Sequence, residues 1–112
     1  MLFRSQTRDF TYVANVVQAN LRAGQARGVV GEVFNIAVGL RYSVLDLARR
    51  LGKITGVRIR PKFLPERPGD VLHTGADIRK AERLLGYRVL VPFEEGLRRT
   101  AEWFDRNRSF WE

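Results

Sequence analysis

Cysteine is absent from this chain of 112 residues, and histidine and methionine occur once each. Without thiols there is neither a disulfide nor a thiolate metal site, which fits a reducing cytoplasm, and one histidine leaves no His-based metal cluster. No apolar run approaches the roughly 20 residues that span a bilayer. Met1-Leu2-Phe3-Arg4-Ser5 passes into a polar stretch instead of a signal-like apolar region. The chain therefore reads as a soluble, cytoplasmic protein with no membrane partner. Acidic residues are also few beside basic ones, 12 against 20, and 17 of the basic residues are arginine, for a formal charge of +8. That balance favours an anionic partner. The arginines are nevertheless spread through every segment, many opposite an apolar stripe, and neither an aromatic-plus-basic RNA-binding sheet nor a zinc-finger spacing is present. A dispersed, solvated basic surface is the simpler reading, and nucleic acid is not the expected partner.

A hydrophobic content of 45% excludes a mainly disordered segment. The length suits one domain, with no internal repeat and no linker, and the apolar spacing predicts an α/β chain of about four helices and three short strands. Phe10 and Tyr12 alternate within a strand over 8–12. Val13, Val16, Val17, Asn20 and Leu21 then recur at helical spacing, with Gly24 as the expected stop near Ala23. Val33-Phe34-Asn35-Ile36 suits a short covered strand. Ser43 and Asp46 resemble a capping box opening a helix on Val44, Leu47, Ala48 and Leu51, which Gly52 ends or loosens unless Ile54 extends it by a turn. Val57 to Phe63 alternates apolar positions with Arg58, Arg60 and Lys62, a strand that Pro61 confines to an edge. Asp77 is the expected cap of a helix on Ile78, Ala81, Leu84 and Leu85 that Gly86 stops. The last helix starts near Pro92 or Phe93, with Phe93, Leu97, Ala101 and Phe104 on its inner stripe.

Two arginines stand in settings suited to an anion: Arg8 at a strand start, and Arg67 in the long Pro-Gly connection from Leu64 to Thr74. Guanidinium offers paired donors and a charge that does not titrate away, which is what a diphosphate requires. Asp70 is readable as a turn-capping residue after Gly69. Asn35 is either a buried asparagine bonded to backbone or a residue orienting a substrate loop, and Thr74 and His73 share the loop with Asp70. A lone histidine with no carboxylate near it in sequence is a loop or surface residue rather than an acid/base. Asp9 is suited to anchoring backbone at a strand-to-helix junction. Trp103, Phe104, Phe110, Trp111 and Tyr87 are packing residues.

Arg8-Asp9-Phe10-Thr11-Tyr12-Val13, Val33-Phe34-Asn35-Ile36, Ser43-Val44-Leu45-Asp46-Leu47-Ala48, Arg67-Pro68-Gly69-Asp70, Ala76-Asp77-Ile78-Arg79-Lys80-Ala81 and Leu84-Leu85-Gly86-Tyr87 stand in an order that resembles one family. It is the carboxyl-terminal part of NAD-dependent epimerase/dehydratases, the extended short-chain dehydrogenase/reductases of nucleotide sugars. The likeness runs from Gln6 to Phe104 and is nearest in pattern to UDP-glucose 4-epimerase-like members. It implies that residues 1–112 form a single partial domain from which the glycine-rich Rossmann half is absent. It further implies that Arg8 and Arg67 bind the substrate diphosphate, that Asp70 accepts a ribose hydroxyl, and that Asn35 and Thr74 belong to the substrate loop. No residue is assigned a catalytic or metal-binding role.

By the family's layout NAD and a Tyr-x-x-x-Lys pair belong to the complete parent enzyme. Here Tyr12 is followed four positions on by Val16, Tyr42 by Asp46 and Tyr87 by Val91, so the chain by itself is expected to bind no cofactor and to turn nothing over. The expected partners are a UDP- or dTDP-sugar and either the missing Rossmann half or another copy, through apolar faces left bare. Two departures stand out. Ala14-Asn15 replaces the family's acidic residues, with Asn15 still able to cap the helix, and Ala37 replaces glycine, placing a Cβ where backbone approaches cofactor or substrate. The alternatives are a small basic module for nucleic acid or an acidic protein, and a truncated product with no separate role.

Overall fold

The computed structural model describes residues 6–112; the reading of Met1 to Ser5 lies outside them. The order is β1 (Thr7–Arg8), α1 (Val13–Gln25), β2 (Tyr42–Ser43), α2 (Val44–Thr55), α3 (Arg79–Leu85), α4 (Phe93–Arg106) and a closing 3-10 turn, Arg108–Phe110. β1 and β2 pair antiparallel, Thr7 opposite Ser43 and Arg8 opposite Tyr42. Thr7 also bridges His73 in parallel, so β1 lies between β2 and the long connection.

The helices form where apolar spacing and caps place them. Ser43 Oγ accepts the Asp46 N–H at 2.9 Å while the Asp46 carboxylate accepts from the Ser43 N–H, a complete capping box. The cap position of α3 is Ile78 and not the expected Asp77, which stands one residue earlier and accepts the Arg79 N–H at 3.0 Å, while Gly86 ends α3 in the left-handed region at φ 65°. α1 overruns its expected stop at Gly24 and ends at Gln25, whereas α2 takes the extension by a turn through Ile54 and stops at Gly56, φ 71°. Gly52 serves packing instead: a Cβ there would stand 3.0 Å from the Val57 carbonyl, so glycine lets the chain fold back against its own helix.

The strands depart from expectation. The strand over 8–12 is only Thr7–Arg8, and Val33 to Ile36 and most of Val57 to Phe63 join no ladder among the described residues. Apolar alternation shows which residues want cover, but a strand also needs a neighbour to bond. Val33 remains 79% exposed.

Ala19, Ala37, Ile78, Ala81, Leu85 and Tyr87 form the core between α1, α3 and the loop after Ile36. Tyr87 is 1% exposed and donates its hydroxyl to the Ala37 carbonyl at 2.7 Å. Burial, then the charges of Asp9 and Glu82, push that phenol above its ordinary pKa. The Ala37 side chain thus belongs to the core, not to an open approach for a ligand. A second seam joins Phe93 to Phe10 and Tyr42, ring centroids 5.2 and 4.4 Å apart, with the Arg50 guanidinium 5.3 Å from the Tyr42 ring centre. The aromatic residues near the end pack on one another, Phe104 lying 4.5 Å from Trp111.

The valine and leucine stripe of α1 does not face this core. Asn15 and Ala19 turn inward, while Val13, Val16, Val17 and Leu21 are exposed. Asn15 is not the helix cap, since Tyr12 occupies that position; it is a fully buried clamp on residues 90–91. The radius of gyration is 16.7 Å and the extents are 49 × 36 × 21 Å. A compact chain of this length would have a radius of about 13 Å. The fold is a slab with one apolar helix face uncovered.

Candidate functional site

β1 is stitched to the long connection by its first residue. The Thr7 N–H donates to the Leu72 carbonyl at 2.9 Å, the Thr74 N–H donates to the Thr7 carbonyl at 3.2 Å, and Thr7 Oγ1 meets His73 Nδ1 at 2.7 Å. On the other side, the Val44 N–H donates to the Gln6 carbonyl at 3.0 Å. Arg8 follows directly, its Nη1 donating to the Thr7 carbonyl at 2.7 Å and more weakly to that of Leu72 at 3.4 Å. The guanidinium keeps further N–H groups for an outside acceptor.

Arg67 and Asp70 begin and end one tight turn. Proline at its second position fixes φ, glycine at its third takes φ 87°, and the Asp70 N–H returns to the Arg67 carbonyl at 3.2 Å. This is the chemistry of a type II turn, which holds its end residues within about 7 Å of one another at Cα. Both side chains are exposed, and with Gln6, Glu66, Val71 and Leu72 they line a cavity of about 80 Å³. Leu72 connects this cavity to Arg8. Of the residues read from the sequence, Arg8, Arg67, Asp70 and Thr74 are therefore gathered on and around one loop.

Asn35 is not gathered there. It lies exposed between α1 and β2, lines no part of that cavity, and is not the buried asparagine the sequence suggested. Asp9 anchors backbone, as expected of it, but far along the chain: its carboxylate accepts the Val38 N–H at 2.9 Å and the Gly39 N–H at 2.8 Å. His73 faces Thr7 and has no carboxylate partner among the described residues.

The sequence reading missed Gln6 and Thr7. The available signal was parity: position 6 shares the side of an extended backbone with Arg8, while Thr7 takes the opposite side. Starting the strand at Arg8 hid both. A larger hollow, about 730 Å³, lies elsewhere, between α2, α4 and the terminal turn, and is walled by Leu51, Ile54, Leu97, Phe104 and Trp111. It contains none of the candidate residues.

Dinucleotide binding needs a glycine-bearing turn leading into a helix whose first N–H groups remain free. Among the described residues no helix start offers this. α1 follows Phe10-Thr11-Tyr12, α2 is closed by its capping box, α3 has Asp77 on its first N–H, and α4 opens on Pro92. These residues do not form a cradle for NAD. No described helix is long and apolar enough to cross a membrane.

No protein-family profile matches the chain. Individual proteins do. It is 36% identical over 105 residues to a UDP-glucose 4-epimerase of Mycolicibacterium smegmatis, covering 94% of this chain and 33% of that one. The crystal structure of a UDP-glucose 4-epimerase of Thermotoga maritima with UDP-glucose superimposes with a TM-score of 0.88 at 38% identity, covering 96% of this chain and 35% of the other. That of a UDP-glucuronic acid 4-epimerase of Bacillus cereus, in complex with UDP-glucuronic acid and NAD, gives 0.83 at 35% identity, covering 91% and 33%. Other relatives are named as dTDP-D-glucose 4,6-dehydratases and as a UDP-glucuronic acid decarboxylase. The chain spans about a third of the length of these relatives. Over that third, with four helices and a two-stranded sheet that fit the carboxyl-terminal part of extended short-chain dehydrogenase/reductases, it is a homologue of the NAD-dependent epimerase/dehydratase family.

Proposed function

We propose that the chain is the nucleotide-sugar-binding segment of an NAD-dependent epimerase/dehydratase whose complete form carries out 4-epimerisation. The observation that carries this reading is the stitching of β1 to residues 72–74, which sets Arg8 beside the loop bearing Arg67 and Asp70. In this reading the two guanidinium groups take the two phosphates of a UDP- or dTDP-sugar. Their charges lower the repulsion that a diphosphate would otherwise feel from Asp70, whose carboxylate accepts a ribose hydroxyl. Thr74 belongs to the substrate loop, held by its backbone bond to Thr7.

Oxidation and return of a hydride require a bound nicotinamide and a base, and these residues supply neither. They bind and orient; the remaining two-thirds of the relatives' length is where the chemistry resides. The bare apolar face of α1 is the surface on which that portion, or a second copy, docks. The epimerase assignment over dehydratase or decarboxylase rests on the Pro65-Glu66-Arg67-Pro68-Gly69-Asp70 loop and on the epimerases among the relatives.

Isothermal titration with UDP tests the site. Arg8→Ala and Arg67→Ala should each weaken binding about tenfold or more, the scale of one lost charge-assisted bond. Unchanged affinity in both would remove the assignment. Incubation of the chain with NAD and UDP-glucose, UDP-galactose, dTDP-glucose or UDP-glucuronate should yield no product by chromatography. Turnover abolished by the double arginine variant would mean that the chemistry resides here after all.

A further inference from the structure

Residues 58–62 enter no hydrogen bond and no ion pair among the described residues, and no helix or ladder includes them. They are nevertheless ordered in one respect. Val57, Ile59, Pro61 and Phe63 line a single hollow of about 550 Å³ with Leu45 and Ala48 of α2, while Arg58, Arg60 and Lys62 do not line it. Every second residue on one side is the period of an extended chain. The segment thus keeps the alternation of a strand without the neighbour a strand requires, and Val57 stays 60% exposed.

In an extended chain the N–H and C=O of residues 58, 60 and 62 point to one edge and those of 59 and 61 to the other. Pro61 has no N–H, so the first edge is the complete one. A strand added there would meet two kinds of surface, the apolar hollow on one face and Arg58, Arg60 and Lys62 on the other. No acidic residue lines the hollow, and its α2 side carries Arg49 and Lys53. Charge complementarity therefore calls for acidic side chains at alternate positions of the incoming chain, and burial calls for apolar ones between them. A second copy pairing through the same segment would set three cations against three cations, which a ladder disfavours. Nucleic acid would answer the charge but would supply neither the ladder bonds nor side chains for the hollow.

We propose that residues 57–63 receive an extended segment of an acidic partner protein as an added strand, its carboxylates beside Arg58, Arg60 and Lys62 and its apolar side chains in the hollow against α2. The backbone of residues 58, 60 and 62 supplies the ladder bonds. This surface shares no residue with the cavity of Arg67 and Asp70, so it stands whether or not that cavity takes a nucleotide.

The test is fluorescence polarisation of the full chain with a labelled peptide of alternating valine and glutamate at low salt. Three comparisons accompany it: a peptide with the same residues in two blocks, one of alternating valine and lysine, and a poly-uridine strand. The alternating acidic peptide should bind saturably with a Kd below about 1 mM, and the block peptide should bind about tenfold more weakly or worse. Arg58→Glu, Arg60→Glu and Lys62→Glu together should weaken the acidic peptide about tenfold or more and transfer preference to the lysine peptide. If that triple variant loses its helical circular dichroism, Arg60→Glu alone takes its place, with about a threefold loss expected. Equal affinity for the alternating and block peptides overturns the proposal, because charge without strand order would then suffice. Tighter binding of poly-uridine than of the acidic peptide, an unchanged affinity in the variants, or no saturable peptide binding also overturns it.

Discussion

The Asn15 carboxamide is bonded at both ends to Val91, its Nδ2 donating to the Val91 carbonyl at 2.7 Å and its Oδ1 accepting the Val91 N–H at 3.0 Å. Oδ1 also accepts the Leu90 N–H at 3.0 Å. One fully buried side chain thus satisfies three backbone groups of the segment that leads into α4. Asn15→Ala should leave those groups unpaired and destabilise the chain by about 2–4 kcal/mol, read as a shift in the urea midpoint at unchanged slope. A loss below about 0.5 kcal/mol would mean that water replaces the amide at no penalty.

Gly96 tests the seam between α4 and the start of α1. Alanine is the better helix former by about 1 kcal/mol. Its Cβ, however, would stand 2.7 Å from Tyr12 Cβ, a stem atom that cannot swing aside. Overpacking of this kind costs about 1–3 kcal/mol, so Gly96→Ala should be destabilising in the wild-type background. In a Tyr12→Gly background, which removes that Cβ, the sign should reverse, and a double-mutant cycle by thermal melting measures both.

The α2 capping box gives a prediction with a pH signature. The Ser43 hydroxyl is the main reason that the Asp46 carboxyl titrates below its ordinary value. A carboxyl lowered in the folded state contributes stability above its unfolded pKa, near 3.9, and loses that contribution as pH falls below it. Ser43→Ala should lower stability by about 1 kcal/mol at neutral pH, with the gap to wild type narrowing below about pH 4. A gap that is constant from pH 7 to pH 2.5 would separate the cap from the carboxylate.

Asp77 and Glu95 extend the same argument. Hydrogen bonds from Arg79 hold Asp77 at about 2, and those from Arg98 and then Arg99 hold Glu95 at about 2. Both are exposed, so their effect is weakened by salt. Stability should be complete above about pH 4 and fall as pH drops toward 2, and Asp77→Asn with Glu95→Gln should flatten that limb in low-salt melts.

The sequence carried the helices further than the strands because helix signals are local. Ser43 with Asp46, Asp77 with Arg79, and Gly86 all act within four residues of the group they satisfy, and only the cap position of α3 shifts, by one residue to Ile78. Gly24 misled because glycine stops a helix only where the chain turns left-handed, and Gly52, which the helix passes, admits the Val57 carbonyl. Strand pairing depends on distant residues, so the Thr7 bonds to Leu72 and Thr74 leave no trace in local pattern. Arg8, Arg67 and Asp70 became candidates through their residue types and motif order, and their roles stand as the proposal above. Asn15 was misread because a polar residue near a helix start looks like a cap until its burial is known.

The uncovered face of α1 and the 21 Å thickness of the slab bear on how this chain would respond to heat. Heat capacity rises on unfolding because apolar surface becomes hydrated, and a compact chain of this length would show an increment of roughly 1.3–1.7 kcal/mol/K. Val13, Val17, Leu21, Val30 and Val33 are largely hydrated before unfolding begins. The calorimetric increment should fall short of that range, giving a flatter curve of stability against temperature, and it should recover when whatever covers α1 is present in the cell.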